Sequence, residues 1–208
     1  MTAMPLQSRR RLANGIFLVR FDTQYALAST FLRVQEHYES RRFRGRVFSL
    51  EEYMDWYATS FGAFTYFEDW SGFNVPSTAL IPFYEGKFDP LLRKEMRLLR
   101  LFRNVPMPFY VIGATADTDV THEIAHALFS MRASYRAAVL AAMREFDTRA
   151  VAEELAAEGY HRRVLPDEVH AYLISSGRLP GKAKALRSLR RTLRTILREH
   201  AGDLHIRS

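Results

Sequence analysis

The segment from Asp119 to Met131 constrains the fold more than any other part of the sequence, because its apolar residues recur at helical spacing. These apolar residues are Val120, Ile124, Ala127, Leu128 and Met131. Asp117 and Asp119 are candidate N-caps, and their negative charge suits the first turn of a helix. The pattern predicts an amphipathic helix that buries one face in a core and turns its opposite face toward another surface.

The face opposite this apolar stripe carries residues that can bind and use a metal ion. His122 and His126 are four residues apart, so a helix places both imidazole rings on one side, where they can bind one ion. Glu123 lies beside them, where its carboxylate can take a proton from a water molecule. A histidine that only packs in a core would lie among the apolar residues instead. The pattern therefore favours a metal site.

A catalytic metal site needs a third protein ligand, and Glu168 is the strongest candidate. It lies in Leu165–Ile174, where Pro166 can open a helix whose other residues are largely apolar. A carboxylate in such a setting needs a partner, because burying an isolated charge is costly. The alternative is an ordinary ion pair with an arginine. Asp167 and His170 are weaker ligand candidates, and we expect them to support the ligands through hydrogen bonds.

Residues 108–113 predict a strand just before the motif helix. They form a short run of aromatic, β-branched and other apolar residues between a proline and a glycine. Residues 114–118 are then the loop that leads into the helix.

Together these segments resemble part of a known enzyme family. The motif His122-Glu123-x-x-His126, followed by a second helix with Glu168-x-x-Ala171, is similar to that of the gluzincin metallopeptidases. The resemblance covers residues 108–171. One departure is Asp167, which stands where many gluzincins have Asn, and another is a longer gap between the second and third ligands. No Gly-x-x-His extension follows the motif, which argues against the metzincin branch.

The resemblance implies a fold and a mechanism. The fold would be α+β and zincin-like, mostly helical with a small sheet beside the motif helix. His122, His126 and Glu168 would hold Zn²⁺, and Glu123 would be the general base. The strand at residues 108–113 would be the sheet edge that binds an extended peptide or protein substrate.

A hydrolase also needs a group that stabilises the negative charge of its transition state. Tyr160, His161, His170 and Tyr172 lie near the third ligand in the sequence. We take Tyr172 and His170 as the candidate catalytic residues beside Glu123, and the sequence alone does not separate these four residues further.

The composition fits one domain. The chain has 208 residues, of which 48% are hydrophobic, enough for one substantial core. We expect a flexible basic segment over residues 1–13, a zincin-like catalytic domain over 14–177 and a C-terminal element over 178–208. The absence of Cys excludes disulfides and a cysteine zinc site, and it agrees with a cytoplasmic location. We also see neither a secretion signal nor an apolar run long enough to span a membrane.

The net charge is concentrated in the C-terminal element. Residues 178–208 contain 9 of the 30 Lys and Arg residues and 2 of the 23 acidic residues, which accounts for the whole net charge of +7. Leucines from Leu186 to Leu197 recur at helical spacing and predict a basic amphipathic helix. We expect its apolar stripe to dock on the domain and its arginines to stay outside. The basic face could bind nucleic acid, an acidic protein or an anionic membrane surface.

The rest of the chain predicts alternating elements. Strands are expected at residues 16–21 and 64–67, and helices at 22–39, 49–60, 89–103, 134–146, 148–158 and 166–175. Most of the nine aromatic residues between Tyr53 and Phe73 are expected in the core. A group of polar and aromatic residues near a glycine turn could instead line a substrate cleft: Tyr66, Glu68, Asp69, Trp70 and Asn74.

Two other function classes remain open. Two histidines and one carboxylate also form the facial triad of non-heme iron enzymes. A di-iron site would use Glu123, His126, Asp167 and His170, with Glu36 or Glu39 as a bridge, but it needs a four-helix bundle. The last alternative is an inactive zincin-like binding protein that acts through its basic C-terminal helix. Metal content separates zinc from iron, and the effect of Glu123→Gln on activity separates enzyme from binding protein.

Overall fold

A four-stranded sheet separates two groups of helices in the computed structural model, which describes residues 9–175, 186–202 and 204. The strands are β1 (Arg9–Ala13), β2 (Ile16–Arg20), β3 (Gly72–Pro76) and β4 (Tyr110–Ala114). They lie in the order β1-β2-β4-β3, in which β2 and β4 are parallel and the two outer pairs are antiparallel. The fold is therefore α+β, as expected.

The helices fall into two groups by chain order. The first group is α1 (Gln24–Glu39), α2 (Leu50–Phe61), α3 (Tyr66–Asp69), α4 (Ile81–Tyr84) and α5 (Arg93–Phe102). The second group is α6 (Val120–Met131), α7 (Ala133–Arg144), α8 (Arg149–Ala157), α9 (Leu165–Ile174) and α10 (Arg187–His200). Each group supplies one hydrophobic cluster, and the two clusters share the sheet between them.

The alternation of side chains along β2 explains this division. Phe17 and Val19 join the cluster of the first group, whereas Ile16 and Leu18 join that of the second group. Successive residues of a strand point to opposite faces, so an apolar run that is buried on both sides suits a central strand. In β4, a Cβ atom at Gly113 would lie 2.5 Å from the ring of Phe31, so the glycine permits α1 to pack closely on the sheet.

Several predicted elements differ from those observed. Residues 9–13, expected to be flexible, form the edge strand β1, because their backbone can pair with β2 even though their side chains are mostly arginine. Residues 64–67, expected to be a strand, lead into the short helix α3, where the aromatic rings pack on the first cluster. The helix expected from residue 89 begins at Arg93, where the Leu92 N–H donates to Glu95 Oε2 at 2.8 Å.

The C-terminal helix α10 packs into the second cluster through Leu189, Leu193 and Leu197, which are all buried. Four of its five arginines are exposed, as expected, and Arg190 is half-buried; Arg190 and Arg194 also donate to the last carbonyl groups of α9. The expected start of the C-terminal element at residue 178 lies outside the described residues, as do residues 1–8. No helix in the described ranges is long and apolar enough to cross a membrane.

Candidate metal centre

The motif helix α6 forms where the sequence predicts it. The Asp119 carboxylate accepts a hydrogen bond from the Thr121 N–H at 3.0 Å and so caps the first turn. Ile124, Ala127 and Leu128 are buried in the second cluster. The opposite face turns its histidines toward α9, which packs beside α6.

Three potential ligand atoms converge between α6 and α9. The Nε2 atoms of His122 and His126 are 3.1 Å apart, and His126 Nε2 lies 3.5 Å from Glu168 Oε2. The three ligand atoms all lie within 4.8 Å of one another, and no other group in the described part of the chain meets this arrangement. The three residues predicted from the sequence as metal ligands are therefore brought together.

Two of the three separations between these atoms are close to those of a four-coordinate metal site. A tetrahedral site with bonds of about 2.0 to 2.2 Å separates its ligand atoms by about 3.3 to 3.6 Å. The separations of 3.1 Å and 3.5 Å are close to this range. Two imidazoles and one carboxylate also match the donor set of catalytic zinc sites, which keep a fourth position for water or substrate.

The electrostatics of the cluster also call for a cation. Burial lowers the pKa of His122 to about 3, which leaves the neutral imidazole that metals bind. Burial also acts to lower the pKa of His126, but the carboxylates of Asp167 and Glu168 outweigh it and raise that pKa to about 10. Burial raises the pKa of Glu168. The buried carboxylates of Asp167 and Glu168 therefore favour positive charge at this point of the cluster.

Asp167 orients His126 from behind. Its Oδ1 atom lies 2.9 Å from His126 Nδ1, so the opposite ring nitrogen, Nε2, faces Glu168 and His122. A carboxylate in this position fixes the tautomer and the orientation of a metal-binding histidine. The 2.9 Å contact is an ion-pair distance, and Asp167 Oδ1 has no hydrogen-bond partner among the described residues.

Glu123 is held by a chain of hydrogen bonds from the sheet. Asn74 Nδ2 donates to Glu123 Oε2 at 2.7 Å, and the Tyr110 hydroxyl donates to Asn74 Oδ1. The other carboxylate oxygen faces the backbone of β3, since a Cβ atom at Gly72 would lie 2.2 Å from Glu123 Oε1. Burial raises the pKa of Glu123. One oxygen is thus anchored, while the other has no hydrogen bond within the described residues.

A cavity of about 1020 Å³ opens beside the cluster. All three ligands and Glu123 line it, and Ser71 to Asn74 line it from β3. Much of the remaining wall is aromatic and comes from the first group of helices, including Tyr53, Trp56, Tyr57 and Tyr66. Of the polar and aromatic residues expected to line a substrate cleft, Tyr66, Asp69, Trp70 and Asn74 do so.

The strand expected as the substrate-binding edge lies elsewhere in the sheet. β4 pairs with β2 on one side and with β3 on the other, so its backbone hydrogen bonds are already used. The outer strand on the cavity side is β3, where Gln35 Oε1 accepts a hydrogen bond from the Asn74 N–H at 3.2 Å. A side chain, rather than another strand, therefore covers this edge of β3 among the described residues.

The candidate catalytic residues of α9 differ in position. Tyr172 lines the cavity, with its ring 5.0 Å from the His122 ring and its hydroxyl 3.2 Å from the Tyr160 hydroxyl. His170 does not line the cavity, because it is fully buried between Phe129 and Tyr135. The prediction of His170 as a catalytic residue is therefore not supported by its position, and its Nδ1 instead lies 3.3 Å from Asp167 Oδ1.

Two carboxylates from the first group of helices also reach the cavity. Glu36 and Glu39 line the cavity, and Glu36 accepts a hydrogen bond from the Tyr66 hydroxyl at 2.8 Å. Arg33, on the same helix, pairs with Glu95. Burial raises the pKa of Glu36 to about 7 and that of Glu39 well above its usual range. Neither residue joins the three-ligand cluster.

Known proteins do not identify this site. No protein family, no curated protein and no solved structure matches this chain. Its residues and their arrangement are therefore the basis for assigning a function.

Proposed function

We propose that the protein is a zinc-dependent hydrolase with a zincin-like site, and specifically a metallopeptidase. One observation carries the proposal: His122, His126 and Glu168 converge at the wall of a large cavity, with Glu123 beside them. Three protein ligands with an acidic group next to them match the requirements of metal-assisted hydrolysis. A purely structural metal site would have four protein ligands and no need for a cavity.

Each residue of the site has a separate role in the proposed hydrolysis. When bound, zinc would act as a Lewis acid and lower the pKa of a water molecule. Glu123 Oε1 takes a proton from the attacking water and passes it to the leaving amine, while the hydrogen bond from Asn74 holds Oε2 in place. Tyr172 or Tyr160 donates a hydrogen bond to the developing oxyanion, since burial raises both phenol pKa values and keeps these hydroxyls protonated.

We expect the substrate backbone to bind along the outer edge of β3. Ser71, Gly72 and Phe73 line the cavity next to Glu123. An extended peptide that adds to this edge would displace the hydrogen bond between Gln35 and the Asn74 N–H. The scissile bond would then lie between β3 and α6, within reach of Glu123.

The test combines metal analysis with an activity screen. The purified full chain should bind about one zinc ion per molecule, and it should cleave members of a mixed peptide library at neutral pH. Glu123→Gln should keep the zinc but lower the cleavage rate by about 10² to 10⁴-fold, the usual contribution of general acid–base catalysis. Glu154→Gln is the matched control, because Glu154 is exposed on α8.

Other outcomes of this test identify the alternative functions. Iron in place of zinc would indicate a facial-triad enzyme, which uses the same donor set. Zinc with no cleavage in either the parent or the variant would indicate a binding protein that keeps the metal for structure. Failure to bind any metal would remove the proposal.

A further inference from the structure

The arginines of α10 line a groove that the proposed reaction does not use. The groove has a volume of about 660 Å³ and is lined by Arg187, Arg190, Arg191, Arg194, Arg198 and Thr121, among others. Five guanidinium groups around one concavity form a strong positive field, which attracts an anionic ligand more than a flat charged helix face does. The groove therefore suggests a binding site.

Two of these arginines are fixed in place. Arg190 Nε donates to the Leu173 carbonyl at 2.9 Å, and Arg194 Nε donates to the Ile174 carbonyl at 2.9 Å. Both also donate to the Ser175 carbonyl through Nη2. Because these bonds hold the side chains at the end of α9, less conformational freedom is lost when a ligand binds.

Among the described residues that line the groove, five are arginines and one, Asp119, is acidic, so the groove keeps a net positive charge. None of the five arginines forms an ion pair with a described residue. Asp119 lines the groove, but its carboxylate caps α6 through the Thr121 N–H. The positive charge is therefore available to a ligand.

The groove adjoins the cavity of the metal centre. Asp119 lines both of them. His122 follows Asp119 by three residues, which is a rise of about 4.5 Å along the helix. A peptide bound at the metal centre could therefore extend into the groove within a few residues of the scissile bond.

We propose that the groove binds acidic side chains of the same peptide whose scissile bond lies at the metal centre, so that the protein selects acidic substrates. This inference rests on the proposed hydrolase function. Nucleic acid fits less well, because the described residues that line the groove include no aromatic ring to stack on bases. The preference is set by exposed charge and should weaken with added salt.

The test measures binding rather than cleavage. The protein is the zinc-loaded full chain with Glu123→Gln, and the probes are fluorescent peptides with a zinc-binding hydroxamate and either an acidic or a Gln-containing tail. We expect the acidic probe to bind about tenfold more tightly, and this preference to disappear in Arg187→Gln/Arg191→Gln/Arg198→Gln, because three exposed charge contacts together contribute about this much.

The matched control removes the same charge elsewhere. Arg93→Gln/Arg97→Gln/Arg100→Gln changes three exposed arginines of α5, which packs in the other hydrophobic cluster. The preference for the acidic probe should persist in this variant. An equal loss in both triple variants would mean that overall charge, and not the groove, sets the preference, and would overturn the inference.

Two further arms separate the inference from the proposed function. A single-stranded DNA oligonucleotide that competes better than the acidic peptide would overturn the inference in favour of nucleic acid. If the hydroxamate adds no affinity but the acidic tail still binds the groove, the proposed zinc site is wrong. The inference that the groove binds the substrate of that site is then overturned as well. Equal binding of both probes to the parent would overturn the inference while leaving the metal function intact.

Discussion

The close approach of Gly72 to Glu123 restricts where the Glu123 carboxylate can lie in the proposed site. The strand β3 passes so close to Glu123 Oε1 that a Cβ atom at Gly72 would lie 2.2 Å from that oxygen, so any other residue there requires the carboxylate to move. Helical or strand periodicity cannot predict that two residues so far apart in the sequence lie close together in the fold. By contrast, His122 and His126 share one helix, so the sequence predicts their proximity from local geometry alone.

Gly72→Ala should displace Glu123 while leaving the metal ligands in place. The added methyl group must push the carboxylate away, and a misplacement of about 1 Å in a catalytic group can cost on the order of 100-fold in rate. We expect this loss in the peptide cleavage rate, with zinc content unchanged by metal analysis. Gly202→Ala is the control, because nothing lies within 4 Å of a Cβ atom at that position. Cleavage at the parent rate by Gly72→Ala would contradict the role of Glu123.

Asp167→Asn should weaken zinc binding through His126. The substitution replaces the carboxylate that lies 2.9 Å from His126 Nδ1 with a neutral amide, which makes the imidazole a poorer ligand. We expect zinc affinity to fall about 10- to 100-fold in competition with a fluorescent chelator. Asp55→Asn makes the same chemical change at an exposed position of α2 and should have no effect. Unchanged affinity in Asp167→Asn would show that Asp167 does not support the ligand.

At the scale of elements, burial patterns were easier to predict than strand order. The motif helix matches its prediction because an N-cap and an apolar stripe agree on where it lies. The strand β3 is not predicted, because Gly72 and Pro76 at its ends are typical of turns. Backbone pairing with β4, which the local sequence does not reveal, stabilises it as a strand. The family resemblance assigns residues 108–113 to the sheet edge, whereas β4 is a central strand.

The helix α10 should contribute measurably to stability, even though its composition is dominated by charge. Leu193 is fully buried in the second cluster, against α7 and α9. Leu193→Ala should lower the free energy of unfolding by about 2 to 5 kcal/mol, the range for removing a buried leucine side chain. Urea denaturation measures this change, and Thr192→Ala, at the exposed neighbouring position, is the control. Equal stability of the two variants would mean that α10 is not docked in solution.

At the scale of the whole molecule, the metal centre joins parts that fold from distant segments. The ligands come from α6 and α9, Glu123 is anchored by β3, and much of the cavity wall comes from the first group of helices. The sequence predicts the ligands because they lie in two recognisable helices. It does not predict the wall, because that depends on how the two groups of helices pack on opposite faces of one sheet.

Removal of zinc should therefore lower the stability of the whole fold. A metal ion that binds only the native state stabilises it by about 2.7 kcal/mol when the free metal concentration is about 100 times the dissociation constant. For a chain of this size we expect a chelator to lower the melting temperature by about 5 to 10 °C, and excess zinc to restore it. His126→Ala is the matched control, since its melting temperature should not respond to either reagent. The same melting temperature for the parent protein with and without chelator would show that the ligands do not hold a metal in the folded protein.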